Sequence, residues 1–290
     1  MTKRDAPAAV RWTAYVAVAV VFAIACAFLA NWQFSRNAQR SAQLALVEQN
    51  YDAPPVALDE LIPAQGELDP ADEWRPVALM GSYLADDQLL VRGRAHGGTA
   101  AYEVLVPFEL EDGRVLLVDR GWVAPGESQN EPDVVPAPPE GDVRVIVRLR
   151  PGEPLPTSGR SAPEGQVPTI HLPTVAAAID PAAGEALELS AYGLMDSEDP
   201  APATRPQPLE APSADPGPHL SYAIQWILFA IMGFVFIGYI IRTERAHRRE
   251  EAEAAALGED AASRRQPAVK GRRRDRDAEA EDALIDSTGR

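Results

Sequence analysis

Two stretches decide the architecture: WTAYVAVAVVFAIACAFLA, residues 12–30, and AIQWILFAIMGFVFIGYII, residues 223–241. Each has 19 residues; the first carries no charge, and Gln225 is the strongly polar side chain of the second. At ~1.5 Å per residue a helix of that length reaches about 29 Å, the depth of a bilayer's hydrocarbon layer. The two runs predict transmembrane helices over 12–32 and 219–241. A buried helix of a soluble protein would read similarly, but two such runs near opposite ends of an acidic chain favour spans. A signal peptide is the rival for the first run. Its apolar stretch is too long, and no clean small-residue cleavage site precedes Asn31. Ala23-Ile24-Ala25-Cys26 is a poor lipoprotein-processing motif, because Ala23 stands where a bulky aliphatic is expected.

Flanking basic residues predict orientation. Lys3, Arg4 and Arg11 precede the first run, and Arg242, Arg245, Arg248 and Arg249 follow the second. The facing flanks hold only Arg36, Arg40 and Arg205. The positive-inside rule then puts the arm 1–11 and the tail 242–290 in the cytoplasm. Residues 33–218 become an extracytoplasmic domain of a two-pass protein in the cell (plasma) membrane, with the lipid bilayer as its first partner.

Composition narrows the function. The chain has 290 residues, a net charge of −16, and 46 % hydrophobic residues, which fits neither a wholly disordered chain nor a multi-span transporter. Its one cysteine, Cys26, excludes a disulfide framework, a thiolate zinc site and a covalent C-x-x-C-H haem site. Residues 33–218 carry 12 arginines, no lysine and 30 carboxylates, which argues against nucleic-acid binding through a basic surface. Arg272-Arg273-Arg274 is neutralised by Asp275, Asp277 and Glu279. There is no G-x-S-x-G, H-E-x-x-H or Walker loop and no plausible Ser/His/Asp order. The chain is therefore expected not to be an enzyme.

Between the spans, 33–50 reads as a continuation of the first helix. Pro76–Tyr83, Gln88–Arg94, Tyr102–Leu110, Arg114–Val123, Asp142–Arg150, Val167–Leu172 and Ala186–Leu194 read as strands, with a short helix over Thr174–Ile179. Glu111-Asp112-Gly113 is a hairpin turn. Val115-Leu116-Leu117-Val118 is continuously apolar, as a strand covered on both faces would be. Seven prolines in residues 196–218 predict an extended strap into the second span. The expected fold is a small antiparallel β-barrel or sandwich of α+β type, slung between two helices. The charged tail is expected to be largely disordered past a helix over 243–257.

His219, Tyr222 and Trp226 stand at i, i+3 and i+7 and share one helix face across about 10 Å. An imidazole there can ligate haem iron, and aromatic rings can stack on a porphyrin. An interfacial aromatic belt has the same composition. Trp32 and Arg36, at i and i+4, offer a ring and a guanidinium for a propionate or lipid phosphate, or simply a snorkelling anchor. Ala19, Ala23 and Ala27 suggest a small-residue helix face. His96 and His171 read as structural, and Asp86-Asp87 as a solvated turn.

Four stretches carry a resemblance. They are Trp32-Gln33 with Arg36; Gly81-Ser82-Tyr83-Leu84 running into Gln88–Arg94; Val118-Asp119-Arg120-Gly121-Trp122-Val123; and His219-Leu220-Ser221-Tyr222-Ala223-Ile224-Gln225-Trp226. Their order between two terminal spans resembles the surfeit-locus-protein-one (Surf-one) family of assembly factors for haem-a cytochrome c oxidase. The resemblance covers about 12–242. Pro218 stands where the family often has Asn, and Asp119 replaces an Asn. The resemblance implies a chaperone that holds haem a or guides it into oxidase subunit one, with haem-a synthase as a further partner. It makes His219 the proposed iron ligand, with Trp32, Arg36, Tyr222 and Trp226 lining the site. A scaffold that binds oxidase subunits or the synthase without haem is the alternative. Arg120 and Trp122 would then form an exposed contact, unless Trp122 fills the core and Gly121 permits a tight bend.

Overall fold

The computed structural model describes residues 8–64, 66–96, 98–159 and 161–261. The chain divides into two units: the residues up to Ala30 together with those from Ile224 onward, and Asn31–Ala223 between them. Helix α1 runs over Ala8–Asn50, the one-turn helix α2 over Leu58–Leu61, and helix α5 over His219–Ala261. Both α1 and α5 are long and apolar enough to cross a membrane. No proline interrupts either one. The carbonyl of Pro218 accepts the first helical bond of α5, from the Tyr222 N–H, so proline is tolerated there.

In the helical unit the buried positions of α1 are Ala19, Cys26 and Ala30, with Ala23 half-buried, whereas Ala27 is exposed. These positions step by 4, 3 and 4 residues, following the period of about 3.6 residues of a straight helix face. The expected Ala19/Ala23/Ala27 face drifts off the contact after one turn, for this reason. Gly233 on α5 lies against the Phe22 ring; a Cβ there would come within 3.0 Å of it. Lower on the same pair, Glu244 accepts from Trp12 Nε1 at 2.8 Å and pairs with Arg11, while Arg245 lies 4.6 Å over the Trp12 ring.

The other unit is built on one mixed sheet. Its strands are β1 (Val56–Ala57), β2 (Pro76–Tyr83), β3 (Leu89–His96), β4 (Thr99–Leu110), β5 (Val115–Val123), β6 (Val143–Pro151), β7 (Gln166–Val167) and β8 (Ala191–Asp199). The order is β1-β2-β6-β8-β5-β4-β3-β7, and β2 also pairs with β4 through Gly81–Leu110, Ser82–Glu109 and Tyr83–Phe108. The pairing therefore runs β2–β6–β8–β5–β4 and returns to β2. The expected turn joins β4 to β5, with Gly113 at φ +82°.

Burial explains why β5 reads as an unbroken apolar run. Leu116 and Val118 enter one core with Leu79, Val106, Phe108 and Val147. Val115 and Leu117 enter a second core with Leu172, Val175, Ile179 and Ala183. Short helices α3 (Leu172–Ala176) and α4 (Pro181–Ala186) supply that second layer.

Four expectations are corrected. The sheet is mixed, not antiparallel: β8 inserts between β6 and β5 and runs parallel to β5. Of the strand expected over 167–172 only Val167 belongs to β7, because Pro173 favours the start of α3. The last strand begins at Ala191, since Pro181 opens α4 instead, with the Asp180 carboxylate accepting from the Ala182 N–H. The strap starts only after Asp199, because β8 continues to that residue.

The strap is pinned beside β5. Trp122 and Gln207 exchange two backbone hydrogen bonds of 2.9 and 2.8 Å. Gly121 has φ +122°, and a Cβ there would collide with the Gln207 carbonyl. Gly121→Ala should therefore cost about 2–3 kcal/mol of domain stability. Gly113→Ala, which meets open space, should cost about 1 kcal/mol. Thermal unfolding of the two variants in detergent checks the ranking.

Candidate functional site

His219 is the first residue of α5, at the end of the proline strap. Gln33 continues the buried stripe of α1 and is 9 % exposed. The two meet across 186 residues of sequence: His219 Nδ1 lies 2.9 Å from Gln33 Oε1. Among the described residues Nε2 has no protein partner. The strap is held in place to make this contact. Arg40, seven residues beyond Gln33 on α1, donates from Nε to the Asp215 carbonyl (3.0 Å) and from Nη2 to the Ser213 carbonyl (2.8 Å). The Asp215 carboxylate accepts from the Gly217 N–H at 2.8 Å. Gly217 sits at φ +73°, and a Cβ there would stand 3.8 Å from His219 Nε2. Glycine thus meets the backbone demand and leaves space beside the open nitrogen.

Around this pair, Tyr222 lies one turn along α5 and is 47 % exposed. Trp32 is 52 % exposed, and the Arg36 guanidinium lies 5.9 Å from its ring centre. Arg36 also reaches Gln39 Oε1 at 3.4 Å. Trp226 belongs to the helical unit, where its ring meets Phe229 edge-on at 5.7 Å. Gln33 and Arg40 were missed as working residues by sequence reasoning. Their spacing of seven, which puts both on one helix face, was the available signal.

The Asp119-Arg120-Gly121-Trp122 stretch is organised differently. Arg120 has no exposed side-chain area, so the expected exposed contact at Arg120 is corrected. Its Nη2 pairs with Glu198 Oε1 at 2.9 Å, its Nη1 donates to the Pro136 carbonyl at 3.0 Å, and its guanidinium lies 5.3 Å from the Tyr83 ring centre. The Tyr83 hydroxyl donates to Glu198 Oε2 at 3.0 Å. A buried guanidinium needs such a partner, since an unpaired buried charge is strongly destabilising. Trp122 is half-buried and stacks on His96, with ring centres 5.4 Å apart and planes 5° from parallel.

Beneath that stack lies a titratable cluster. His96 Nε2 meets Glu103 Oε1 at 3.0 Å, and Arg94 Nε approaches Glu103 Oε2 at 2.6 Å without hydrogen-bond alignment. Arg94 also grips both Glu153 oxygens at 2.7 and 2.8 Å. Burial alone would raise the Glu153 pKa; the Thr169 hydroxyl, the Ile170 N–H and Arg94 outweigh it and hold the carboxyl below its usual range. Asp119 is wholly buried. Its Oδ1 accepts from the Gly121 N–H at 3.0 Å, while Oδ2 has no partner. Burial, and then the charge of Glu103, push its pKa well above the ordinary value. Among the described residues, no three His, Cys, Asp or Glu side chains are grouped to hold a metal ion.

With this geometry in hand, comparison with known proteins places the chain. Residues 20–231 match the SURF1 family, to which the chain belongs. A SURF1-like protein of Mycobacterium tuberculosis is 38 % identical over 252 residues, covering 83 % of this chain and 88 % of that protein. A SURF1-like protein of Mycobacterium bovis aligns with the same identity and coverage. The cytochrome oxidase assembly protein SHY1 of Saccharomyces cerevisiae is 27 % identical over 132 residues, 43 % of this chain and 32 % of that protein.

The Asp119 carboxyl gives a test of the cluster. Its folded-state pKa lies above the ordinary unfolded value of about 3.9. Between those two values the folded state binds more protons, so stability falls as pH rises through that window. Asp119→Asn removes this penalty. Its melting temperature should gain on wild type as pH is raised from about 4 to about 8. Parallel pH dependences in the two proteins would contradict the assignment.

Proposed function

We propose that this chain assists assembly of haem-a cytochrome c oxidase by holding haem a at His219 and passing it to oxidase subunit one. Three observations support the reading: membership of the SURF1 family, the name of the yeast relative, and an imidazole with one nitrogen fixed and the other open. The last carries the most weight. The residues present fit the group. An axial ligand needs an unspent nitrogen and room beside it, and His219 has Nε2 and the Gly217 backbone there. Bound haem a would supply an iron that accepts a lone pair. His219 would hold it through Nε2, Trp32 and Tyr222 would pack on the porphyrin, and Arg36 would pair with a propionate carboxylate. One protein ligand suits a carrier, which must release what it holds. In this reading the protein acts as a chaperone and not as an enzyme.

In this reading α1 and α5 are the two membrane spans, both ends of the chain are cytoplasmic, and the sheet unit lies outside the cell membrane. The strand circuit then serves as a small barrel. Haem-a synthase is the natural donor. A scaffold role in contact with oxidase subunits has one observation in its favour: a groove of about 560 Å³ bounded by Trp122, Pro125, Val134, Pro136 and Pro206. Val134 is among the most exposed large apolar side chains in the sheet unit.

The test is the absorption spectrum of the full chain purified in detergent from cells that make haem a. Wild type should carry haem a, and His219→Ala should lose it. A colourless wild type that still co-purifies oxidase subunits would replace the haem carrier with the scaffold.

A further inference from the structure

Gln33 interrupts an otherwise small and apolar buried stripe. Ala19, Cys26 and Ala30 precede it on the same face of α1, and an alanine or leucine would continue that face. A buried amide is costly unless it is hydrogen-bonded. The amide oxygen of Gln33 is satisfied by the His219 ring. Arg40, seven residues along the same face, holds the strap that delivers that ring.

We propose that Gln33 is a positioning residue that selects the tautomer of His219 and keeps its donor strength low enough for haem to be handed on. The inference rests on the haem-carrier reading above and goes one step beyond it. An amide oxygen can only accept, so the proton of the neutral imidazole sits on Nδ1 and the lone pair on Nε2. Nε2 is the nitrogen that Gly217 leaves room for. The choice of an amide has a second consequence. A carboxylate behind a ligating histidine draws on the Nδ1 proton and makes the imidazole a stronger donor. Glutamine orients the ring equally well but carries no charge. A protein that retains its cofactor gains from the carboxylate; one that releases it gains from the amide.

Two measurements test this on the full chain in detergent. The first needs no haem: histidine ¹⁵N chemical shifts, with the His219 signals assigned by their loss in His219→Ala. Wild type should show the Nδ1–H tautomer, Gln33→Glu should keep it, and Gln33→Leu should lose it. An Nε2–H tautomer in wild type, or no change in Gln33→Leu, overturns tautomer selection. The second uses protein loaded with ferrous haem a. Gln33→Leu should bind about 10–100-fold more weakly. Gln33→Glu should raise the iron–histidine stretching frequency in resonance Raman spectra and slow haem transfer to apomyoglobin by about tenfold. A misfolded variant cannot mimic this gain. An unchanged frequency and transfer rate in Gln33→Glu overturns the tuning. A wild type with the Nδ1–H tautomer that takes up no haem a overturns the haem-carrier reading and the tuning with it, while tautomer selection by Gln33 stands.

Discussion

The buried ion pair between Arg120 and Glu198 is the interaction on which the sheet unit turns. Arg120 comes from β5, Glu198 from β8, and Tyr83, which donates to the same carboxylate, from β2. Three strands of the pairing circuit therefore meet at one charge. Removing one partner of such a pair typically costs about 3–5 kcal/mol, because the other is left buried and uncompensated. The pair also ties β8 to β5 beyond their short parallel ladder at Val118–Gly193 and Asp119–Leu194, at a point where β8 itself pairs with β6.

The consequences run along the chain to the site. Next to Arg120, Gly121 takes a left-handed backbone that lets Gln207 of the strap approach. Trp122 and Gln207 then pin the strap at its middle, and Arg40 pins it again at Ser213 and Asp215. Only Pro216, Gly217 and Pro218 lie between Asp215 and His219, so the imidazole arrives opposite Gln33 with little freedom. The Asp119–Trp122 motif and the His219 motif, about a hundred residues apart in sequence, are thus mechanically one device. The first shapes the scaffold that aims the second. Its place inside the sheet explains why Arg120 is a structural residue and not a contact.

Much of this was legible in the sequence, and the exceptions have physical causes. β2 occupies the expected residues 76–83, and the Asp112-Gly113 turn joins β4 to β5 as its residue types require. The apolar run in β5 does mark a strand with two covered faces. What local pattern cannot give is a partner distant in sequence. Glu198 of β8 meets Arg120 of β5 from 78 residues away. Gln33 looked like one polar residue beyond an apolar run, and only His219, 186 residues on, gives it a task. The helix α4 was hidden by an alanine- and proline-rich stretch that reads equally as coil. The small-residue face shares Ala19 and Ala23 with the buried one, but a strict four-residue step departs from the period of about 3.6 residues that brings Cys26 and not Ala27 onto the contact.

The proposed role of His219, serving haem a during oxidase assembly, can be measured in the cell. The most direct measurement is the haem a content of the oxidase in cells whose only copy of this chain carries His219→Ala at wild-type abundance. If His219 has that role, subunit one accumulates with less haem a per polypeptide than in wild-type cells, while a His219→Ala chain with normal thermal stability remains in the membrane. An oxidase with its full haem a complement in those cells would contradict it.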